Sequence, residues 1–387
     1  MTPAEKLLQK SLVTSGLDSR QWNQVQAGLR DRAFFSSRVE SATFLHATRG
    51  MAALVADGQL SESEMRRNLR EILRDEGYQP KAGEAGTLKD LFSRKRLDVI
   101  IDTNVRQAQG YVRQLESTTP GALAAFPAQE LVRVRHSKSP RNDWPQRWED
   151  AGGKFYAGRM CALKNDPVWI NISRFDVPWP PFDFGSGMGA EELSREAAVE
   201  LGIMSENDPP PSPPVVLGFN ENLEAEVPFG GRTDPEWLWL KESFGDQIVY
   251  RDNKVRWQMG LIHDIFNGKT TKSISLGKAT AALRERAPES LRSALENTSL
   301  SITKDLVVHL DKSDHYLSDA REGNMPVMEE DLDLLPSVWR APDVVTQGAR
   351  KDSAVLEFDT FDEGILVLVV DLRNGALANT LYKKRQP

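Results

Sequence analysis

One cysteine, Cys161, stands in the whole 387-residue chain. That scarcity excludes an internal disulfide framework and a cysteine-rich zinc site. Histidine is also scarce: His46, His136, His263, His309 and His315 lie too far apart for a helical two-histidine metal motif. Long apolar runs are missing as well. The longest, Ile365 to Val370, is far too short to cross a bilayer, so no membrane partner is expected. The opening MTPAEKLLQK lacks the basic-then-apolar pattern of a secretory signal, and synthesis in the cytoplasm is the expectation. No P-loop and no G-x-S-x-G elbow occurs. Neither a metal nor a cofactor is expected.

What is present is an ordinary globular composition, 40% hydrophobic and 27% charged, with a net charge of −7. The charge is uneven. Residues 301–387 hold ten Lys and Arg against sixteen Asp and Glu, whereas Leu131 to Arg159 holds seven against three. The basic stretch also carries Trp144, Trp148, Phe155 and Tyr156. Interleaved cations and aromatics suit a nucleic-acid backbone and equally a packing face, and both readings stay open here.

Residues 1–125 read as helices. In LSESEM, Ser61 and Glu64 have capping-box spacing, Met65, Leu69, Ile72 and Leu73 repeat at helical intervals, and Gly77 is a stop. A second helix is expected over RLDVIIDTNVRQAQGYVRQLES, with Leu97, Ile101, Val105, Ala108, Val112 and Leu115 on one face and Asn104 in its middle. Residues 126–204 turn into short elements broken by Pro, Gly and Trp. Within them PWPPFDFGSGMG ends in a G-x-G-x-x-A pattern, Gly185 to Ala190. Prolines stand where a dinucleotide fingerprint needs a strand, so a structural turn is expected there instead of a phosphate cradle. Ser194 then caps a helix that Gly202 ends.

Five prolines between Pro209 and Pro214 make residues 205–218 an extended linker. Residues 219–300 follow as an intermediate stretch with little legible pattern. Residues 301–387 should form an α+β domain. SAVLEFDT, GILVLVVDL and ALANTLYKK read as a three-stranded antiparallel meander, with Asn374–Gly375 as the last hairpin turn. Helices around His315 and around Leu332 to Trp339 precede it. The fold class expected for the chain is therefore α+β, its C-terminal domain carrying two or more helices on a three- or four-stranded antiparallel sheet.

The series DRAFFSSRV, SRKRLDVIIDTN, FPAQELVRVRHSKSPRNDWPQRWEDAGG, DPVWINISRFDVPWPPFDFGSGMG and SREAAVELGI resembles the phage Mu F-like minor head (head morphogenesis) family over about residues 32–203. Many members of that family carry a cysteine pair and a basic residue at the place of PPFDFGSGMG. Phe184, Gly185 and Ser186 stand there in this chain, which removes any disulfide or metal role of that pair. The resemblance implies phage portal or capsid proteins as partners, with residence in the bacterial host cytoplasm during assembly and then in the virion.

The last eighty residues, DHYLSDAREGNMPVMEEDLDLLPSVWRAPDVV and the meander, are similar to phage-encoded domains of the barnase–EndoU–colicin–RelE nuclease superfamily. That similarity implies a metal-independent ribonuclease with an RNA substrate. Such an enzyme needs a proton acceptor, a proton donor and cations for the phosphorane charge. The candidate catalytic residues are His315 for proton transfer and Thr380, Tyr382 and Lys384 on alternate positions of one strand face. Lys383 and Arg385 face the other side. A solvated basic tail is the competing reading of these cations. Two further readings of the whole protein stay open: an RNase effector delivered by the phage-derived N-terminal module, and a structural adaptor whose C-terminal domain has no activity.

Overall fold

A computed structural model of the chain describes residues 2–135, 140–213, 227–251, 253–268, 270–309, 324–360, 364–373 and 375–386. The fold is α+β, and it divides into two compact units, neither of them one continuous run of sequence. The first unit takes residues 1–8 and 49–219, and the second takes residues 9–48 and 220–387.

In the first unit the helix Glu62–Asp75 starts where its spacing places it. The Ser61 hydroxyl accepts the Glu64 N–H at 3.2 Å, and the Glu64 carboxylate accepts the Ser61 N–H at 2.9 Å. Met65, Leu69 and Leu73 are its buried face. The long helix Arg94–Ser117 buries Leu97, Ile101, Val105 and Ala108 as expected. Its C-terminal half is turned differently. Tyr111 and Gln114 are buried, while Leu115 is 36% exposed, because Tyr111 packs edge-on against Trp179 at 5.2 Å. Asn104 is half-buried and donates its side-chain N–H to the Ile100 carbonyl one turn back, at 2.8 Å.

The Pro/Trp-rich part of this unit is built on a four-stranded antiparallel sheet in the order Phe155–Tyr156, Arg159–Leu163, Ala128–Arg133, Met188–Leu193. One side packs Trp144, Trp148, Trp169 and Phe182; another cluster gathers Ala128, Cys161, Leu193, Ala198 and Met204. Two of the buried indoles are satisfied, Trp148 donating to the Lys154 carbonyl and Trp169 to the Leu163 carbonyl, each at 2.9 Å, whereas the Trp144 N–H meets no acceptor among the described residues. Besides the Tyr111–Trp179 contact, the proline arm is tied to the long helix by one amide. Gln107 accepts the Trp179 indole N–H and donates to the Pro181 carbonyl, both at 2.9 Å. Gly110 lets the arm approach, since a Cβ there would lie 2.1 Å from the Pro180 carbonyl oxygen. The glycine turn that follows has Gly185 and Gly187 at φ 56° and 67° and enters the strand Met188–Leu193. A dinucleotide loop opens a helix; this one opens a strand.

The second unit draws on both ends of the chain. Val13, Val25, Leu29 and Ala33 share a core with Trp237, Leu240, Phe244, Ile248, Val255 and Trp257. Trp257 donates its indole N–H to the Leu29 carbonyl at 2.8 Å, and Gln247 bonds the Thr14 backbone through both side-chain ends, at 3.0 and 2.8 Å. The expected meander is present as Ser353–Asp359, Gly364–Asp371 and Ala376–Arg385, paired antiparallel in sequence order. The sheet around it is larger than the three or four strands expected. It has seven strands among the described residues, adding Val344–Gln347 on one side and Ile274–Lys278, Ser299–Ile302 and Val307–Val308 on the other. Ser299–Ile302 and Val307–Val308 pair parallel with the last strand, so the sheet is mixed. The added strands have two to five residues, and ISLGK and SLSI also carry Ser or Lys, which hides them from an apolar pattern search. The C-terminal sheet therefore begins inside the stretch 219–300 that the sequence left as an intermediate region.

The inner face of the sheet buries Leu356, Leu366, Leu368 and Leu381, and the helix Leu335–Arg340 covers it with Leu335, Val338 and Trp339. Lys383 also lies on this face, 1% exposed, with its ammonium 3.1 Å from the buried Asp331 carboxylate. His46 Nε2 stands 3.9 Å from the same carboxylate.

Candidate functional site

The outer face of the meander gathers the expected residues. Along Ala376–Arg385 burial alternates, with Leu381 and Lys383 buried and Thr380, Tyr382 and Lys384 half-buried on the opposite face. Two-residue periodicity puts these three on one line. Cross-strand register then adds groups from the neighbouring strands. Tyr382 pairs with Val367, and Val367 pairs with Glu357. Lys384, one step along, reaches diagonally to Glu357, with Nζ 2.7 Å from Oε1. A fourth element closes the group. The His309 backbone N–H donates to the Leu381 carbonyl at 3.0 Å, continuing the Val307–Val308 pairing, and its ring centroid lies 6.1 Å from that of Tyr382.

At the far side of this face, Asp359 follows Glu357 by two residues, and its N–H donates to the Asp343 carboxylate at 2.9 Å. Burial pushes the Asp359 carboxyl up from its ordinary value, and the charges of Asp343 and Glu357 push the same way against Lys384. Burial likewise raises the Tyr382 phenol, so it keeps its proton and donates at neutral pH. The face thus offers a fixed cation, a carboxylate acceptor, a hydroxyl donor and an imidazole. Those are the parts that proton transfer beside a phosphate requires.

Of the four residues expected from sequence, Thr380, Tyr382 and Lys384 come together here, and His315 lies outside the described residues. The two lysines are not a solvated tail: Lys383 is buried on Asp331, and Lys384 is tied to Glu357. His309, Glu357 and Asp359 escaped the sequence reading. Glu357 and Asp359 had a signal, since they alternate with Leu356 and Phe358 in SAVLEFDT and so must share the face opposite the core. His309 had none, because its place depends on parallel pairing with a strand seventy residues away.

The basic, aromatic stretch 131–159 resolves toward packing. Trp144 and Trp148 are buried. Arg133 donates to the carbonyls of Ser186 and Arg141 at 2.8 and 3.0 Å, Arg135 pairs with Asp102 at 2.9 Å, and Arg159 pairs with Glu130. Among the described residues no three His, Cys, Asp or Glu side chains form a metal-binding group, and no helix is long and apolar enough to cross a membrane. No protein-family profile, curated protein or solved structure matches the chain.

Proposed function

We propose that the chain is a phage or prophage minor head morphogenesis protein whose C-terminal domain is a metal-independent ribonuclease. The outer sheet face carries the enzymatic half of this reading: Lys384 paired to Glu357, Tyr382 beside them and His309 against Tyr382. In such a site Glu357 or a histidine takes the ribose 2′-proton, a histidine returns a proton to the leaving 5′-oxygen, and Lys384 with Tyr382 stabilises the phosphorane oxygens. Thr380, next along the strand, positions the phosphate. The head half rests on the motif series over about residues 32–203, which implies portal or capsid partners and residence in the host cytoplasm and then the virion. The acidic balance of residues 301–387 disfavours indiscriminate RNA binding, so one structured RNA is the expected substrate.

RNA cleavage by the full chain in EDTA tests the enzymatic half. Lys384→Ala should slow it by about tenfold or more, the scale of one charge-stabilising contact. A wild-type chain inert toward a broad panel of host RNAs leaves a structural adaptor. Mass spectrometry of purified particles tests the other half, since a protein found only free in the lysate is an effector.

A further inference from the structure

In the first unit, Arg141, Arg147 and Arg174 line an open cleft of about 730 Å³ whose lining includes Asp183. Asp183 is nearly buried and holds two guanidiniums at once: Arg141 and Arg147 both donate to Oδ2, the latter at 3.0 Å, while Oδ1 accepts the Phe184 N–H at 2.7 Å. Each arginine has a second anchor. Arg147 donates to the Ile172 carbonyl at 3.3 Å and lies 4.0 Å over the Trp144 ring; Arg141 donates to the Phe184 carbonyl at 2.9 Å. One carboxylate thus fixes two cations in a set geometry. Arg174 differs from both. It is exposed, its guanidinium lies 5.4 Å from the Phe184 ring, and among the described residues it meets no hydrogen-bond acceptor or carboxylate. Among those residues its side chain is held only by that ring contact. Asp143 and Asp150 also line the cleft, and among the described residues neither pairs with these arginines.

We infer that this cleft binds a compact oxyanion of the phosphate-monoester or pyrophosphate class. Planar guanidiniums fixed in advance suit a tetrahedral oxyanion: Arg141 and Arg147 each spend two N–H donors on Asp183 and a backbone carbonyl, and the remaining N–H groups of each fork are left for the oxygens of a ligand. Arg174, exposed on the same lining, supplies the third cation. With Asp183, the exposed Asp143 and Asp150 balance the three arginines, so the cleft offers a long polyanion no net positive field, and binding rests on guanidinium contacts that a small ligand can make. The inference concerns the first unit only and stands or falls apart from the ribonuclease reading.

Calorimetric titration of the full chain with inorganic pyrophosphate at low ionic strength tests it. One saturable site per chain is expected. Arg174→Gln should weaken binding by about tenfold or more, the worth of a charge-assisted contact, with an unchanged melting temperature. A short oligonucleotide bearing only internal diesters should bind more weakly than pyrophosphate. Absence of saturable pyrophosphate binding, equal binding by Arg174→Gln, or tighter binding of the oligonucleotide would each overturn the assignment.

Discussion

A single hydrogen atom at residue 110 decides whether the proline arm docks on the long helix. A Cβ there would sit 2.1 Å from the Pro180 carbonyl oxygen and 3.0 Å from the Trp179 ring. Backbone cannot yield as a flexible side chain does. Gly110→Ala is therefore expected to lower stability by about 1–3 kcal/mol, the cost of overpacking, despite the better helix propensity of alanine. Gly121→Ala is the control: nothing lies within 4 Å of its Cβ position, and the helix Pro120–Ala125 should gain a fraction of a kcal/mol. Urea midpoints check both, and an unchanged midpoint for Gly110→Ala would mean the arm docks elsewhere. Cys161 makes a second prediction at this scale. Burial, helped by Glu130, pushes its thiol up to about 11. At pH 8 only about one molecule in a thousand then carries the reactive thiolate, and the side chain is fully buried. Iodoacetamide should leave the native protein unmodified at pH 8 and alkylate it in denaturant; the native reaction should speed up as pH rises toward 11. Prompt alkylation of the native chain at pH 8 would contradict this.

Among the elements, the last strand shows how two adjacent lysines acquire different roles. Lys383 is inside with Asp331, and Lys384 is on the outer face with Glu357. Lys383→Met strands a buried carboxylate and should cost about 3–5 kcal/mol, whereas Lys384→Met breaks a half-exposed pair and should cost under about 1 kcal/mol. Denaturant titration of the two variants separates them, and equal losses would refute the assignment of faces. The alternation behind this was legible in ALANTLYKKR, as was the meander itself, because apolar and β-branched runs mark strands and Gly375 (φ 95°) supports the tight turn. The Ser61 cap and the core face of Leu97 to Ala108 were legible for the same reason: local chemistry sets them. The partner of Lys383 was not. Asp331 lies 52 residues away along the chain. The short strands ISLGK and SLSI were likewise hidden, since their strand character comes from pairing and not from composition.

For the molecule as a whole, the proline-rich linker suggested a boundary between two successive pieces. The compact units do part near it, at residues 219 and 220, but the second unit also contains residues 9–48. A local pattern search cannot find this, because Val13, Val25 and Leu29 reveal their core partners only through contacts more than two hundred residues distant. Burying such side chains contributes about 1.5–3 kcal/mol each. A protease that cuts within residues 205–219 should therefore yield a nicked protein whose two pieces co-elute in gel filtration and part only in denaturant. A C-terminal piece that elutes alone under native conditions would contradict the shared core. For the same reason residues 290–387 are not a fair unit for an activity assay, and the full chain is.

The central claim, that the outer face of the C-terminal sheet is a catalytic surface, is met most directly by the rate of RNA cleavage by the full chain in EDTA across pH 5 to 9. The account predicts cleavage whose rate changes with pH across this range, as general acid–base catalysis requires. It also predicts a loss of about a hundredfold or more in His309→Ala or in His315→Ala, the usual worth of a general acid or base. A wild-type chain that cleaves nothing, or two histidine variants both as active as wild type, would contradict it.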